Sequence, residues 1–302
     1  MSKLFRGYFA IALTPFDETG DLLWDDLARE CDWIVRAGGH GLVWPVNDSE
    51  QYTLSAAERI QGYEVVTQAV QGRIPVVAGV ADTSKAGAVA FAQAAARAGV
   101  DAVIAVPPWS VKMTSWALIE DFYRAVANAA GAPLFIQNLG GMMGSSLSSV
   151  QVAELCRRIP LAQYVKEERD PHGDNVSELI SLREPEIKGV FTGGHKLSIV
   201  TAHKRGAAGT MASADVTDIC SLIWELMEGG DEAGARRVLA AEALLHRNMM
   251  DMAYHAGLKE ILVRRGIFTT NSRRSLGTVQ FDRFYMEELE EGLRAVAPYL
   301  RG

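Results

Sequence analysis

A single strand–helix–strand unit occupies residues 75–106, which read PVVAGVADTSKAGAVAFAQAAARAGVDAVIAV. Two short apolar runs, Pro75–Val80 and Ala102–Val106, enclose an alanine-rich segment, Ser84–Ala98, that ends at Gly99. Short apolar runs bounded by turn residues are typical of strands that are buried on both faces. Because a helical segment separates the two runs, the pattern predicts two parallel strands joined by a crossover helix.

The same alternation continues in both directions from this unit. Six further apolar runs predict strands at Tyr8–Leu13, Gly41–Val46, Pro133–Gln137, Gln163–Lys166, Gly189–Phe191 and Gly206–Met211. Helical periodicity and capping signals predict helices at Trp24–Ala37, Ser55–Val70, Ser115–Ala130 and Ser148–Ile159. Eight such units in about 225 residues favour the α/β class and a (β/α)₈ TIM barrel, with a doubly wound open sheet as the rival.

The end of the chain has a different pattern. From about Gly229 onward it predicts helices only, at Glu232–Met250, Ala253–Arg265 and Tyr285–Tyr299. We therefore predict a catalytic barrel over residues 1–228 and a C-terminal helical extension over residues 229–302.

Composition narrows the classes of function. The 302 residues are 48% hydrophobic, which suits a large core, and the net charge of −7 disfavours nucleic acid and anionic membranes as partners. No apolar run has the length of a transmembrane helix or of a signal peptide. Three scattered cysteines, Cys31, Cys156 and Cys220, match neither a metal site nor a disulfide framework. We predict a cytoplasmic protein without a metal site.

In a (β/α)₈ barrel the catalytic groups lie where the strands end. Among the residues at those ends, Lys166 is the most informative, because it lies inside the apolar run Ala162–Lys166. Burial of an ammonium is costly unless it is paired or its pKa falls, and a neutral lysine is a nucleophile toward ketones. An ion pair with Glu167 or Glu168 and Schiff-base chemistry both remain open. The other seven lysines are expected to be solvated charges: Lys3, Lys85, Lys112, Lys188, Lys196, Lys204 and Lys259.

Further candidates lie at the same edge of the barrel. Glu168 is two residues after Lys166, so both side chains share a face if the strand continues, whereas Glu167 would face the helices. A carboxylate beside an iminium can move a proton on the neighbouring carbon. The polar turn at residues 47–50 is either an ordinary loop or a cradle whose backbone N–H groups hold a carboxylate. The glycines at 38, 39 and 41 come after a helix, which is the wrong order for a dinucleotide fingerprint.

These residues resemble the dihydrodipicolinate synthase/N-acetylneuraminate lyase superfamily of class I aldolases. The resemblance runs over essentially the whole chain, in an ordered set of motifs: Ala12–Phe16, Ser49–Ser55, Glu58, Arg59, Pro107, Pro108, Asn138, Gly144, Leu147, Ser148 and Val165–Glu167. It implies a (β/α)₈ barrel with C-terminal helices, a homotetramer (a dimer of dimers), and Lys166 as the Schiff-base lysine. The family's carboxylate-binding Gly-Thr-Thr-Gly-Glu loop falls on Val46–Glu50.

The chain departs from the family pattern at its proton relay. The catalytic tyrosine of the family falls on Gln137, the tyrosine that a neighbouring subunit supplies falls on Ser110, and the arginine of the synthases falls on Met142. The chain is more similar to the 2-keto-3-deoxy-L-arabonate dehydratases, which share an Asn-x-Ser-Glu-Gln loop, an Ile-Gln pair and a Lys-x-Glu pair. Here these are Asn47–Gln51, Ile136 with Gln137, and Lys166–Glu168.

This resemblance implies a Schiff-base hydro-lyase that acts on a small 2-keto-3-deoxy sugar acid. Lys166 would attack the C2 ketone, Glu168 would remove the C3 proton, and Gln137 would orient substrate or water. The remaining candidates are predicted to bind the substrate. The turn of Asn47, Asp48 and Ser49 would hold the C1 carboxylate. His195 and Ser213 would contact the distal hydroxyls, and Ser110 is a further substrate-binding candidate. The imine is the electron sink, so no metal or organic cofactor is expected. A pyruvate-dependent aldolase or synthase, and a non-catalytic keto-acid-binding barrel, are the alternatives.

Overall fold

The structure, a computed structural model, describes residues 5–108, 115–140, 146–193, 196–251, 254–274 and 279–301. Within these ranges eight parallel strands, each hydrogen-bonded to the next and the last to the first, close into a barrel. The predicted TIM barrel is thus confirmed and the open sheet is wrong. The strands are β1 Gly7–Ile11, β2 Gly41–Trp44, β3 Val76–Gly79, β4 Ala102–Ala105, β5 Leu134–Leu139, β6 Ala162–Glu168, β7 Gly189–Thr192 and β8 Gly209–Ser213.

Helices follow the strands and continue beyond the barrel. Those predicted in the barrel are α1 Trp24–Arg36, α2 Ala56–Val70, α3 Lys85–Ala98, α4 Trp116–Ala130 and α5 Ser149–Arg158. Three helices were not predicted: α6 His172–Ser181, α7 Ile199–Lys204 and α8 Thr217–Glu228. The C-terminal helices are α9 Glu232–Asp251, α10 His255–Arg264 and α11 Arg283–Val296.

The capping and termination signals in the sequence coincide with the observed ends of three helices. Ser55 and Glu58 form a capping box at the start of α2, where the Glu58 N–H donates to Ser55 Oγ and the Ser55 N–H donates to Glu58 Oε2. Gly99 and Gly131 end α3 and α4 in the left-handed conformation, which glycine adopts without a Cβ penalty. The predicted start of β8 is wrong, because Gly206 belongs to the turn after α7 and has a φ of +90°. The strand begins at Gly209 and runs to Ser213, two residues beyond the predicted end at Met211.

Aromatic rings fill the interior of the barrel on the side where the chain enters. Phe135 on β5 stacks on Tyr164 of β6, with 4.7 Å between the ring centroids, and Phe191 of β7 meets Phe135 edge-on. Phe5 closes this cluster from below, 4.9 Å from the Tyr164 ring. The three strands therefore point residues 135, 164 and 191 inward.

Side chains alternate along a strand, so the residues two positions further on form the next inward layer. These residues are Gln137 on β5, Lys166 on β6 and Gly193, which directly follows β7. Gln137 lies opposite Lys166 in the β5–β6 register. The layer next to this aromatic cluster is thus polar. It lies at the carboxyl ends of the strands, where barrel enzymes have their catalytic residues.

The C-terminal helices pack against the same side of the molecule as β8. α9 packs on α8 and α11, and α10 packs on the 3₁₀ turn Ala214–Val216 that follows β8. The division into residues 1–228 and 229–302 stays a prediction. Among the described residues, every helix is too short or too polar to cross a membrane.

Candidate functional site

Three side chains from two neighbouring strands meet in the polar layer. Lys166 Nζ lies 3.1 Å from Glu168 Oε1, and Gln137 Nε2 donates to Glu168 Oε2 at 2.6 Å. Lys166 is 3% exposed and Gln137 4%. Because β6 runs to Glu168, the period of two places the amine and the carboxylate on one face, as expected. The ion-pair interpretation therefore holds for Glu168, and the same contact supplies the amine with a proton acceptor.

Glu167 lies on the opposite face of β6. Its carboxylate is buried and accepts hydrogen bonds from Asn138 Nδ2 at 2.7 Å and from the Arg169 N–H at 2.9 Å. Burial raises the pKa of Glu167, although these donors oppose the shift. Asn138 also accepts the Leu147 N–H at 2.9 Å. Glu167 thus fixes the connection after β5 rather than contributing a group to the barrel interior.

Gly193 makes room for the carboxylate of Glu168. A Cβ on residue 193 would lie 2.1 Å from Glu168 Cγ and 2.3 Å from its Cδ, far inside van der Waals contact. Residue 193 directly follows β7, two positions after the inward residue Phe191, so only a residue without a side chain leaves that space open. The glycine after β7 is therefore part of the same arrangement as Lys166 and Glu168.

The turn after β2 is a short 3₁₀ helix, Asn47–Ser49. Ser49 is fully buried; its hydroxyl donates to the Ala12 carbonyl at 2.6 Å, and Thr14 Oγ1 donates to the Ser49 carbonyl at 2.6 Å. The side chain of Ser49 thus ties the turn to the end of β1. The Ser49 N–H donates to the Val46 carbonyl, whereas the first N–H groups of a 3₁₀ turn have no acceptor inside it. Those of Asn47 and Asp48 therefore have no acceptor within the turn.

Asp48 lies close enough to Lys166 for the two charges to interact. Burial raises the pKa of the Asp48 carboxyl; the positive charges of Lys166 and His255 oppose the shift, and the nearby Glu168 carboxylate adds to it. The Asn47 side chain is engaged within its own turn, since its Oδ1 accepts from Gln51 Nε2 at 3.0 Å. Asp48 is therefore the side chain of this turn whose carboxyl interacts electrostatically with Lys166.

Ser213 ends β8 and follows the inward residue Met211 at a spacing of two. It is fully buried, and its hydroxyl has no hydrogen-bond partner among the described residues. Its carbonyl accepts the Tyr8 hydroxyl at 2.7 Å, which fixes the backbone there. Two predicted site residues, Ser110 and His195, lie outside the described residues, as does Met142.

Tyr254 and His255, at the start of α10, were missed from sequence. The phenol of Tyr254 lies beside Ser213, and burial together with the charges of Asp48, Asp215 and Glu168 raises its pKa. Burial lowers the pKa of His255, and Asp48 opposes that shift. No local signal marks these residues, because only the packing of α10 on the end of β8 brings them to the mouth.

The expectation of solvated charge is wrong for two lysines. Lys259 is fully buried, with Nζ 2.5 Å from Glu50 Oε1 and donating to the Ser272 carbonyl at 2.9 Å. Lys196 is likewise buried, with Nζ 2.5 Å from Asp215 Oδ1. The partners, Glu50 and Asp215, are distant in the sequence and are brought to these lysines by tertiary packing. The polarity of the local sequence therefore does not reveal that the lysines are buried. Among the described residues, no group of three or more His, Cys, Asp and Glu side chains could hold a metal ion.

Known proteins resemble this chain over most of its length. The Dihydrodipicolinate synthetase family matches residues 4–294. The chain is 29% identical over 247 residues to L-2-keto-3-deoxyarabonate dehydratase from Azospirillum brasilense, covering 80% of each chain. It is 27% identical to 4-hydroxy-tetrahydrodipicolinate synthase from Rhizobium meliloti, over 96% of this chain and 98% of the relative. The solved 4-hydroxy-tetrahydrodipicolinate synthase from Methylacidiphilum fumariolicum SolV superposes with a TM-score of 0.86 at 22% identity, over 97% of this chain and 96% of that one.

Proposed function

Because the chain belongs to the dihydrodipicolinate synthetase family, we propose that it is a Schiff-base lyase that dehydrates a 2-keto-3-deoxy sugar acid. The observation that carries this proposal is the double contact of Glu168, with Lys166 at 3.1 Å and with Gln137 at 2.6 Å. An amine and a carboxylate in contact are the two groups that imine formation and C3 deprotonation require.

The chemistry follows from this contact. Lys166 passes a proton to Glu168 and attacks the C2 ketone. Glu168 returns that proton to the carbinolamine hydroxyl, which leaves as water, and the resulting iminium acidifies the C3 protons. Glu168 then takes a C3 proton, which leaves an enamine. Expulsion of the C4 hydroxyl as water gives a conjugated iminium, and hydrolysis frees Lys166. Acid–base assistance of this kind contributes roughly two to four powers of ten in rate.

Substrate binding is assigned to the turn after β2 and to β5. The first N–H groups of the turn, at Asn47 and Asp48, would hold the C1 carboxylate, and Ser49 would keep the turn in place through Ala12. Gln137 would orient Glu168 as well as the substrate. Ser213, together with Ser110 and His195, is proposed to meet the distal part of the molecule. The imine serves as electron sink, so the reaction is proposed to need no metal or organic cofactor.

A pyruvate-dependent condensation is the second candidate. It is favoured by the 4-hydroxy-tetrahydrodipicolinate synthase relative, which aligns over 96% of this chain, more than the 80% covered by the dehydratase relative. The proposed dehydratase is preferred because the residue of β5 that contacts Glu168 is an amide, Gln137. An amide cannot relay protons as a phenol or an acid does. Purified protein given pyruvate and an aldehyde would yield a condensation product only in the second case.

The decisive experiment is a screen of 2-keto-3-deoxy acids in which semialdehyde and pyruvate are detected separately. Dehydration gives the semialdehyde, and cleavage between C3 and C4 gives pyruvate. Borohydride reduction in the presence of pyruvate should add one reduced adduct to Lys166, identified by peptide mass spectrometry. Lys166→Arg, which retains the charge beside Glu168, should lose the adduct, whereas Lys204→Arg at an exposed position should retain it. Absence of an adduct on the wild-type protein would favour the non-catalytic binding barrel.

Assembly and location complete the proposal. We place the chain in the cytoplasm as a homotetramer, in line with the resemblance and with the reduced, buried state of Cys31, Cys156 and Cys220. Light scattering after size-exclusion chromatography tests the tetramer directly.

A further inference from the structure

Glu50 joins the turn after β2 to a second 3₁₀ turn, Gln51–Thr53. Its N–H donates to the Asn47 carbonyl at 2.9 Å, which closes the first turn, and its carbonyl accepts the Thr53 N–H at 2.9 Å. Glu50 makes both contacts in the left-handed conformation, with a φ of +53° and a ψ of +37°. A residue with a Cβ rarely adopts this conformation, because the Cβ then crowds the following carbonyl oxygen. Contacts outside the turn are therefore needed to hold Glu50 there.

The contact that holds the Glu50 side chain comes from helix α10. Lys259 Nζ lies 2.5 Å from Glu50 Oε1 and also donates to the Ser272 carbonyl at 2.9 Å, which anchors the ammonium to the segment after α10. Both side chains of the pair are at most 1% exposed. Glu50 Oε2 has no hydrogen-bond partner among the described residues, so the hold on this carboxylate acts through Oε1. Separation would leave a buried charge unpaired, and this penalty keeps the two groups together.

A second cation of the C-terminal extension holds the other end of the connection between β2 and α2. Arg274 donates to the Thr53 carbonyl at 2.9 Å and pairs at 2.7 Å with Glu58, the capping-box residue of α2. Lys259 and Arg274 also lie over the ring of Phe16, at 4.7 Å and 4.5 Å from its centroid. The extension thus fixes this connection at two points, and Lys259 acts at the point nearer to the turn.

The hold on Glu50 bears on the N–H groups of the turn. Those of Asn47 and Asp48 have no acceptor within the turn, and the proposed function assigns the C1 carboxylate to them. On one side, the hydroxyl of Ser49 ties the turn to the Ala12 carbonyl at 2.6 Å. On the other side, the turn is closed by the hydrogen bond from the Glu50 N–H. If Glu50 relaxed to an extended conformation, this bond would be lost and the free N–H groups would change direction.

We propose that Lys259 is a positioning residue for substrate binding, because its ion pair keeps Glu50 left-handed and so keeps the N–H groups of the turn directed at the C1 carboxylate. This assignment rests on the proposed function, which places the carboxylate at that turn. Lys259 acts through Glu50 and not by contact with the substrate, so the C-terminal extension takes part in substrate recognition indirectly. Loss of the pair should weaken carboxylate binding by about 10-fold, in line with the cost of a left-handed residue that nothing holds.

The test measures how the borohydride adduct on Lys166 depends on the concentration of two ketones, pyruvate and its uncharged analogue pyruvamide. Wild-type protein should be half-saturated at a lower concentration of pyruvate than of pyruvamide, because only pyruvate carries the carboxylate. Lys259→Met should raise the half-saturating concentration of pyruvate about 10-fold and change that of pyruvamide by less than about 2-fold. In dehydration, the same loss should appear in KM with kcat little changed.

Two double variants separate this role from stability. Lys259→Met with Glu50→Gln leaves no unpaired buried charge, so the fold should be retained, but residue 50 stays strained and pyruvate should still bind about 10-fold more weakly. In Lys259→Met with Glu50→Gly, residue 50 is left-handed without a Cβ penalty, so pyruvate binding should return to within about 3-fold of wild type. Arg265→Met is the matched control, because it removes the buried pair with Asp218 at the other end of α10. It should lower stability but bind pyruvate like the wild-type protein.

Each outcome decides the assignment. Wild-type pyruvate binding by Lys259→Met or by the double variant with glutamine overturns it, and so does failure of the glycine variant to recover binding. An equal rise for pyruvamide, or for pyruvate in Arg265→Met, also overturns it, since the pair would then only support the fold. Failure of the role alone leaves the wild-type preference for pyruvate over pyruvamide intact. A wild-type protein that forms no adduct, or binds both ketones alike, refutes the proposed function or its carboxylate site, and the role of Lys259 with it.

Discussion

Glu168 lies between Lys166 and Gln137, with Oε1 3.1 Å from the lysine Nζ and Oε2 accepting the glutamine amide at 2.6 Å. One oxygen is thus directed at the amine and the other is held by β5, so the carboxylate has a defined orientation inside the barrel. A base held in this way can act on the carbon next to the imine carbon without rearrangement, which is the advantage of a preorganised site.

Replacement of this base should separate imine formation from proton abstraction. In Glu168→Gln the amine remains and can lose its proton to solvent instead, so the borohydride adduct with pyruvate should still form on Lys166, although more slowly. Exchange of the pyruvate methyl protons in deuterium oxide, followed by NMR, should slow by roughly two to four powers of ten. Glu287→Gln, at an exposed position on α11, should exchange like the wild-type protein. Wild-type exchange by Glu168→Gln would remove the carboxylate from the proposed mechanism.

Gly193→Ala should displace the same base without unfolding the barrel. The added Cβ would lie 2.3 Å from Glu168 Oε1, and the flexible glutamate must swing away. We expect proton exchange to fall about 10-fold or more, because misplacement by about 1 Å is enough to impair positioned catalysis. The melting temperature should change little.

The control for this variant is Gly229→Ala, where the nearest atom to a new Cβ is 3.4 Å away and φ is −78°. It should leave both exchange and melting unchanged. A fully active Gly193→Ala protein would mean that the orientation of Glu168 is unimportant.

The barrel and the pair on β6 could be predicted because both are written in local patterns. The capping box at Ser55, the glycine that ends α3 and the apolar run before Lys166 each depend on residues close together in the chain. The spacing of two between Lys166 and Glu168 likewise fixes a shared face once the strand is assigned.

The contacts that were missed are all long-range. Lys259 and Glu50 are 209 residues apart, and neither segment alone reveals that both charges are buried. Tyr254 reaches Ser213 only because α10 docks on the turn after β8. Sequence periodicity predicts that α10 forms a helix, but it carries no information on which helix terminus meets which strand end.

The buried pair of Lys259 and Glu50 gives a prediction for stability. Lys259→Met would leave the Glu50 carboxylate buried without its cation, and such a loss costs about 3–5 kcal/mol. Burial lowers the pKa of Lys259, in line with a charge that only its partner sustains. The measurement is the free energy of unfolding from denaturant titration, and adding Glu50→Gln should recover part of the loss.

An exposed pair of the same length is the comparison for this variant. Lys85 and Asp121 are also 2.5 Å apart, but both side chains are more than half exposed. Lys85→Met should change the free energy of unfolding by less than about 1 kcal/mol. Equal losses from the two lysines would contradict the argument that burial, not distance, sets the value of the pair.

Glu242 on α9 should make stability depend on pH in the sense opposite to a salt-bridged acid. It is fully buried, neither oxygen has a hydrogen-bond partner among the described residues, and burial raises its pKa from 4.5 to about 7 although Lys196 opposes the shift. Between these two values the folded protein binds more protons at this site than the unfolded chain does. Stability therefore falls as pH rises from 4.5 to 7, by on the order of 3 kcal/mol in total, and stays lowered above 7.

Glu242→Gln isolates this contribution, because the amide has the same shape but does not titrate. Denaturant titrations across the pH range should show the variant gaining on the wild-type protein as pH rises, with the largest difference above neutrality. Glu287→Gln, which is exposed, should follow the wild-type curve. If the difference between wild type and Glu242→Gln is constant with pH, the buried carboxyl does not change its protonation on unfolding in this range, and the raised pKa is wrong.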